Sequence, residues 1–143
     1  MTKLPPDLDP RLAERLVGGG GGELTRRMGI DLIELSAEYS VATMPVEGNR
    51  QVVGILHGGA HLVLGESLGS LSSAVHAGPT NYVVGIEINA THSGSAREGI
   101  VTGTCRAITL GRTLCTHQIV ITDERGRLLS TVRITNLIRP IKD

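Results

Sequence analysis

The apolar positions of this chain keep a helical period through one long stretch and a period near two on either side of it. Gly29 to Leu35 and Tyr39 to Val46 read as strands, with Ile30, Leu32, Val41 and Met44 alternating with polar residues. Gly48-Asn49 marks a turn. Gly58 to Ala77 reads as the one long helix, ended by Gly78-Pro79. Tyr82 to His92 then alternates, which predicts Val84, Ile86, Ile88 and Ala90 on one face. Ile100 to Leu110 and Arg112 to Thr122 are two further strands joined near Gly111. Asp123-Glu124-Arg125-Gly126 is a hairpin turn, and Leu128 to Ile138 is the last strand, stopped by Pro140. Ahead of all this, Asp9-Pro10 is a helix start, with a capping carboxylate and Pro at the first helical position. A short helix over Arg11 to Val17 ends at Gly18 to Gly22, a run too costly in entropy to stay helical, which reads as a flexible connector. The division expected is residues 1–22 as helix and connector, then residues 23–143 as the main domain. One long helix with an antiparallel sheet makes a two-layer α+β domain.

At about 100° per residue, Leu64, Leu68, Leu71 and Val75 fall on one stripe of the long helix, the expected core face. Gly59, Glu66, Ser70 and Ser73 fall opposite. Glu66 is the only charged residue between Gln51 and Glu87. A solvated face would carry several charges; a lone carboxylate in a seam of small residues suits a general base or nucleophile. Just before it stands Gln51-Val52-Val53-Gly54-Ile55-Leu56-His57-Gly58-Gly59. Glycines at a helix start let a ligand approach the backbone, and the free amides there suit a developing oxyanion. His57 and Gln51 are side-chain donors beside them.

Composition narrows the chemistry. The 143 residues balance 14 Lys+Arg against 14 Asp+Glu, so the basic excess that nucleic-acid binding needs is missing. Phe and Trp are absent and Tyr numbers two, which removes base stacking and leaves the core to Val, Ile, Leu and Ala. The two cysteines, Cys105 and Cys115, form neither a disulfide framework nor a zinc motif, and no metal is expected. An ordinary hairpin turn would put them on opposite faces as small buried hydrophobes. No signal-like or membrane-spanning apolar run is seen, so a cytoplasmic protein with free thiols is expected. No G-x-S-x-G accompanies the serines at 67, 70, 72 and 73.

Several segments, in order, resemble one family. These are Ala42-Thr43-Met44-Pro45-Val46, Gln51 through His57-Gly58-Gly59, Glu66-Ser67-Leu68-Gly69-Ser70 and Val83 through His92. Ser95-Ala96-Arg97-Glu98-Gly99, Leu110-Gly111-Arg112 and Asp123 to Leu128 follow the same pattern. Together they resemble the hotdog-fold acyl-CoA thioesterases, in particular the 1,4-dihydroxy-2-naphthoyl-CoA hydrolase type of menaquinone synthesis, its 2,3-dihydroxybenzoyl proofreading relatives and the phenylacetic-acid-degradation type. The resemblance implies an antiparallel sheet wrapped around the long helix, and assembly into homodimers or tetramers. It implies hydrolysis of an acyl-CoA, with an aromatic acyl group favoured, coenzyme A as part of the substrate and no cofactor. Matched onto this chain, Glu66 is nucleophile or general base, Gly59 polarises the thioester carbonyl through its N–H, His57 and Gln51 contact the carbonyl or water, and Ser70 supports Glu66. Gly58 and His92 fall among the substrate-contacting positions. Val52-Val53 stands where relatives have an aromatic residue, and Ser93-Gly94 where they often have a basic one. The second departure moves the coenzyme A phosphates to Arg97, Arg112 or Arg106. The alternatives on the same fold are an acyl-thioester hydratase or dehydratase and a non-catalytic acyl-CoA-binding protein.

The spacing itself bears on assembly. Gly59 and Glu66 lie seven residues apart, about 10 Å along a helix axis. An amide on the carbonyl oxygen and a carboxylate on the same carbon must both lie near ~3 Å from it. Two antiparallel helices about a twofold axis achieve this, with each chain supplying one group.

Overall fold

The computed structural model describes residues 1–143. The elements run α1 (Pro10–Ala13), a π-helical turn (Glu14–Gly18), α2 (Glu23–Arg27), β1 (Asp31–Leu35), β2 (Tyr39–Pro45), α3 (Gly58–Ala77), β3 (Asn81–His92), β4 (Ile100–Leu110), β5 (Leu114–Thr122) and β6 (Leu128–Pro140). The six strands form one antiparallel sheet in the order β1-β2-β4-β5-β6-β3. α3 lies against it, touching every strand from β2 to β6. This is the helix-in-sheet arrangement the resemblance implies.

α3 occupies the span the pattern predicts. His57 caps its start, and Gly78, at φ 80°, ends it in a conformation that favours glycine. Its buried face differs from the leucine stripe. Leu64 and Leu68 are buried, whereas Leu71 and Val75 are only half-buried and Ser73 is fully buried. The reason is close approach. Gly65 and Gly69 face Val132 and Ile134 so tightly that an added Cβ would lie 2.7 Å and 2.3 Å from those side chains. The helix therefore sits down on its small residues. Ser72 then reaches Ser40 at 2.6 Å, and Ser73 reaches His117 Nδ1 at 3.4 Å.

Two bulges change faces that strict alternation assigns. In β3 the register shifts between Gly85 and Glu87. Gly85, Ile88, Ala90 and His92 pair with Asn136, Ile134, Val132 and Ser130, the buried positions of β6, while Val84 and Ile86 are exposed. In β4 the register shifts between Ala107 and Thr109. Leu110 pairs with Cys115, but Cys105 pairs with Ile119, which brings both thiols to the helix side instead of opposite faces. Both are buried.

β6 continues past its expected end at Ile138, because Pro140 pairs with Asn81 at the sheet margin. The N-terminal residues add a backbone ladder on β1, with Lys3 N–H donating to Ile33 O and Leu35 N–H to Lys3 O. Leu12 of α1 is buried. Gly20, Gly21 and Gly22 all take positive φ and turn the chain into α2, an element too short to show a period.

Candidate active site

The predicted residues fall into two groups on α3. The first surrounds the helix N-terminus. His57 Nδ1 accepts from Gly59 N–H at 2.8 Å, so the His57 proton sits on Nε2, and the exposed ring occupies the amide expected to meet a carbonyl oxygen. Gly58 faces His92, whose Nε2 would lie 2.9 Å from a Cβ there, so any larger residue would push the His92 ring aside. His92 Nδ1 meets Ser130 Oγ at 2.9 Å, and that hydroxyl donates to Thr91 O. The serine oxygen thus accepts from Nδ1–H, and His92 turns its Nε2 toward the helix start as an acceptor. Gln51 folds its Oε1 onto Val53 N–H at 2.7 Å and holds the preceding loop. Arg97 braces the same loop by donating to Val53 O, while Arg50 donates to Arg97 O.

The second group lies at mid-helix. Glu66 is exposed, and its Oε1 would lie 3.1 Å from a Cβ placed on Gly85. Ser70, one turn on, donates to Asn136 Oδ1 at 3.1 Å. Asn136 is fully buried, and its Nδ2 has no partner. Glu66, Ser70, Gly85 and Asn136 therefore form one polar patch where α3 meets β3 and β6. The free Glu66 carboxylate can take a proton from water or attack a carbonyl carbon.

Within one chain the two groups stay apart along the helix axis. Two of the three arginines also lie away from both. Arg106 stacks over the Tyr39 ring, 4.7 Å from its centroid. Arg112 sits on the β4–β5 turn beside Gly111, whose carbonyl meets His76 in the last turn of α3. That is the opposite end of a 20-residue helix from His57. Arg97 alone borders the site's loop.

Two residues join the site unannounced. His61 is 2% exposed, its Nδ1 has no partner, and its ring lies 5.0 Å from that of His92. Burial, with the neighbouring His92, holds its pKa down to about 4, so it is neutral at pH 7. Its only sequence signal is the His57–His61 spacing of one turn. Asn136 carries a clearer signal, an amide following Val132 and Ile134 at the inward positions of β6.

A helix seated in an antiparallel sheet, with one free carboxylate at its middle and glycines at its start, defines a hotdog-fold hydrolase. The family model described as the thioesterase superfamily matches residues 53–130. The chain belongs to that superfamily. It is 41% identical over 126 residues to the 1,4-dihydroxy-2-naphthoyl-CoA hydrolase of Escherichia coli, covering 87% of this chain and 93% of that one. It is 38% identical to a proofreading thioesterase of Cronobacter turicensis, covering 82% and 86%. Among solved structures, a thioesterase from Haemophilus influenzae superimposes with a TM-score of 0.84 at 32% identity, covering 91% and 92%. A variant of a Pseudomonas aeruginosa thioesterase gives 0.83 at 36%, covering 95% and 96%. Thioester hydrolysis is accordingly the activity of this chain. No helix is long and apolar enough to cross a membrane.

Proposed function

We propose that the substrate is an acyl-CoA with an aromatic acyl group, and that Glu66 is the catalytic carboxylate. The observation that carries this is Glu66 itself, an unpaired carboxylate held against Gly85 at mid-helix. The two relatives above carry names that specify an aromatic acyl-CoA and a proofreading thioesterase, in keeping with this choice. A cavity of about 250 Å³ between α3 and the N-terminal segment supports it. Val17, Ile30, Leu32, Leu68 and Leu71 give it an apolar wall, and Ser67, the residue after Glu66 on α3, lines it too. An acyl ring fits such a wall, while coenzyme A stays toward solvent near Arg97.

In this reading the thioester oxygen displaces the His57 ring from Gly59 N–H, and the helix dipole favours the charge that develops there. Glu66 then attacks the carbon or activates water. The axial gap between Gly59 and Glu66 makes the site shared between two copies. β3 is an edge strand with Tyr82, Val84 and Ile86 exposed, a surface suited to pairing with its own copy.

The test is a hydrolysis screen over aroyl- and alkanoyl-CoA thioesters, ranked by kcat/KM, with thiol release as the readout. Aroyl substrates should rank first. Glu66→Gln should lower kcat by roughly 10³ or more with KM nearly kept. Preference for saturated alkanoyl groups overturns the substrate assignment, and a Glu66→Gln enzyme within tenfold of the parent overturns the carboxylate's role.

A further inference from the structure

We propose that Asn136 is a positioning residue of the hydrolytic site: its amide fixes the Ser70 hydroxyl and holds a water against the Glu66 carboxylate, in the space that Gly85 leaves empty. The proposal rests on the hydrolase reading above.

Three observations converge on it. Asn136 is fully buried on β6 and accepts from Ser70 Oγ at 3.1 Å, which ties it to the helix turn that carries Glu66. Its other amide atom, Nδ2, finds no partner. A buried donor without an acceptor opposes folding, and an apolar residue of the same shape would be better for stability alone. Lastly, the neighbour of Asn136 across the β3–β6 ladder is Gly85. A Cβ there would lie 3.1 Å from Glu66 Oε1 and 3.8 Å from Asn136 Oδ1. The position is thus within contact of both the carboxylate and the amide, and it is left open. A water in that opening can donate one proton to Glu66 Oε1 and the other to Asn136 Oδ1.

Ser70 and Asn136 act as one unit on this view. The serine hydroxyl is spent on Asn136 Oδ1, so it cannot compete for the Glu66 carboxylate. Glu66 stays free to take a proton from the held water. Removing Asn136 releases the serine and the water together, and kcat should fall while substrate binding is kept.

The experiment compares Asn136→Leu, Asn136→Ser, Ser70→Ala and the double variant Ser70→Ala/Asn136→Leu with the parent, using the best thioester of the screen. Asn136→Leu should lower kcat by about 10–10², with KM changed less than about threefold and a melting temperature no lower than the parent's. The double variant should be no slower than the slower single one, because the two residues serve one function. Asn136→Ser, which keeps a hydroxyl for the pair, should recover part of kcat. An Asn136→Leu enzyme within twofold of the parent overturns the proposal. So does a fall in kcat that comes with a lower melting temperature and is fully additive with Ser70→Ala, since that marks a packing role. If Asn136→Leu does not fold, additivity between Asn136→Ser and Ser70→Ala decides in the same way. Failure of the hydrolase reading looks different: the parent itself then releases no thiol from any acyl-CoA.

Discussion

Replacing Gly85 with alanine tests whether the position of the Glu66 carboxylate controls turnover. The added methyl would lie 3.1 Å from Glu66 Oε1, while Ile134 and Asn136 stay at ordinary contact distances of 3.6 and 3.8 Å. Gly85 is not among the positive-φ glycines, so alanine adopts its backbone without strain. The one group that must move is the tip of an exposed, flexible side chain. Stability should change by less than about 1 kcal/mol, and a gain is as compatible as a loss, because alanine narrows the unfolded ensemble. The carboxylate must yield a few tenths of an ångström, and the opening toward Asn136 closes. A misplacement of ~1 Å costs on the order of 10² in rate, so this smaller one should cost about tenfold in kcat. Gly85→Val, which adds bulk at the same point, should cost more. The assay is acyl-CoA hydrolysis with thiol release, run beside a thermal melt. Parent-like kcat in both variants refutes the placement, and so does a melting loss of more than about 5 °C in the alanine variant, which would put the damage in the fold.

Three further outcomes are expected. His61 refuses its proton until pH falls near 4, while the unfolded chain takes it near 6.5; folding stability is therefore intact above pH 6.5 and drains away below it, by about 3 kcal/mol once pH is under 4. The His117 pKa, also lowered by burial, acts in the same direction, and denaturant melts from pH 7 to 4 should show the loss, reduced in a His61→Leu variant. Glu66→Gln and Gly59→Val chains, each inactive alone, should regain about a quarter of parent activity when unfolded, mixed and refolded, with mixed dimers confirmed by native mass spectrometry. No recovery would mean that each chain supplies its own complete site. Burial raises the Cys105 thiol to about 12 and pushes Cys115 up as well, so a chromogenic disulfide reagent should label neither until the protein is denatured.

The long helix is legible because a histidine-glycine start and a Gly-Pro stop bracket it, and Glu66 is legible because no other charge stands near it in the chain. The faces of the strands are less so. One extra residue at Ile86 and one at Ile108 reverse the alternation beyond them, and a bulge leaves no mark in hydrophobicity when the inserted residue is itself apolar. That is why Val84 turns outward and the two thiols share a face. The buried stripe of α3 is hard to see in a hydrophobicity count because Gly65, Gly69, Ser72 and Ser73, which count as weakly apolar or polar, share it with Leu64 and Leu68. The separation of Arg106 and Arg112 from the helix start is set by pairing between distant strands, which local spacing does not encode.

The glycine seat of α3 has a consequence for anyone trying to make this enzyme hardier. Replacing helical glycines with alanine is among the commonest thermostabilising substitutions, since it improves helix propensity by about 1 kcal/mol. Here that route is closed at Gly65 and Gly69, where the new methyls would press into Val132 and Ile134 at 2.7 and 2.3 Å. Any relief would lift the helix off the sheet and carry Glu66 away from Gly85 and Asn136. The same contacts that bury the helix also set the height of its carboxylate, so heat tolerance has to come from the loops and the outer face of the sheet.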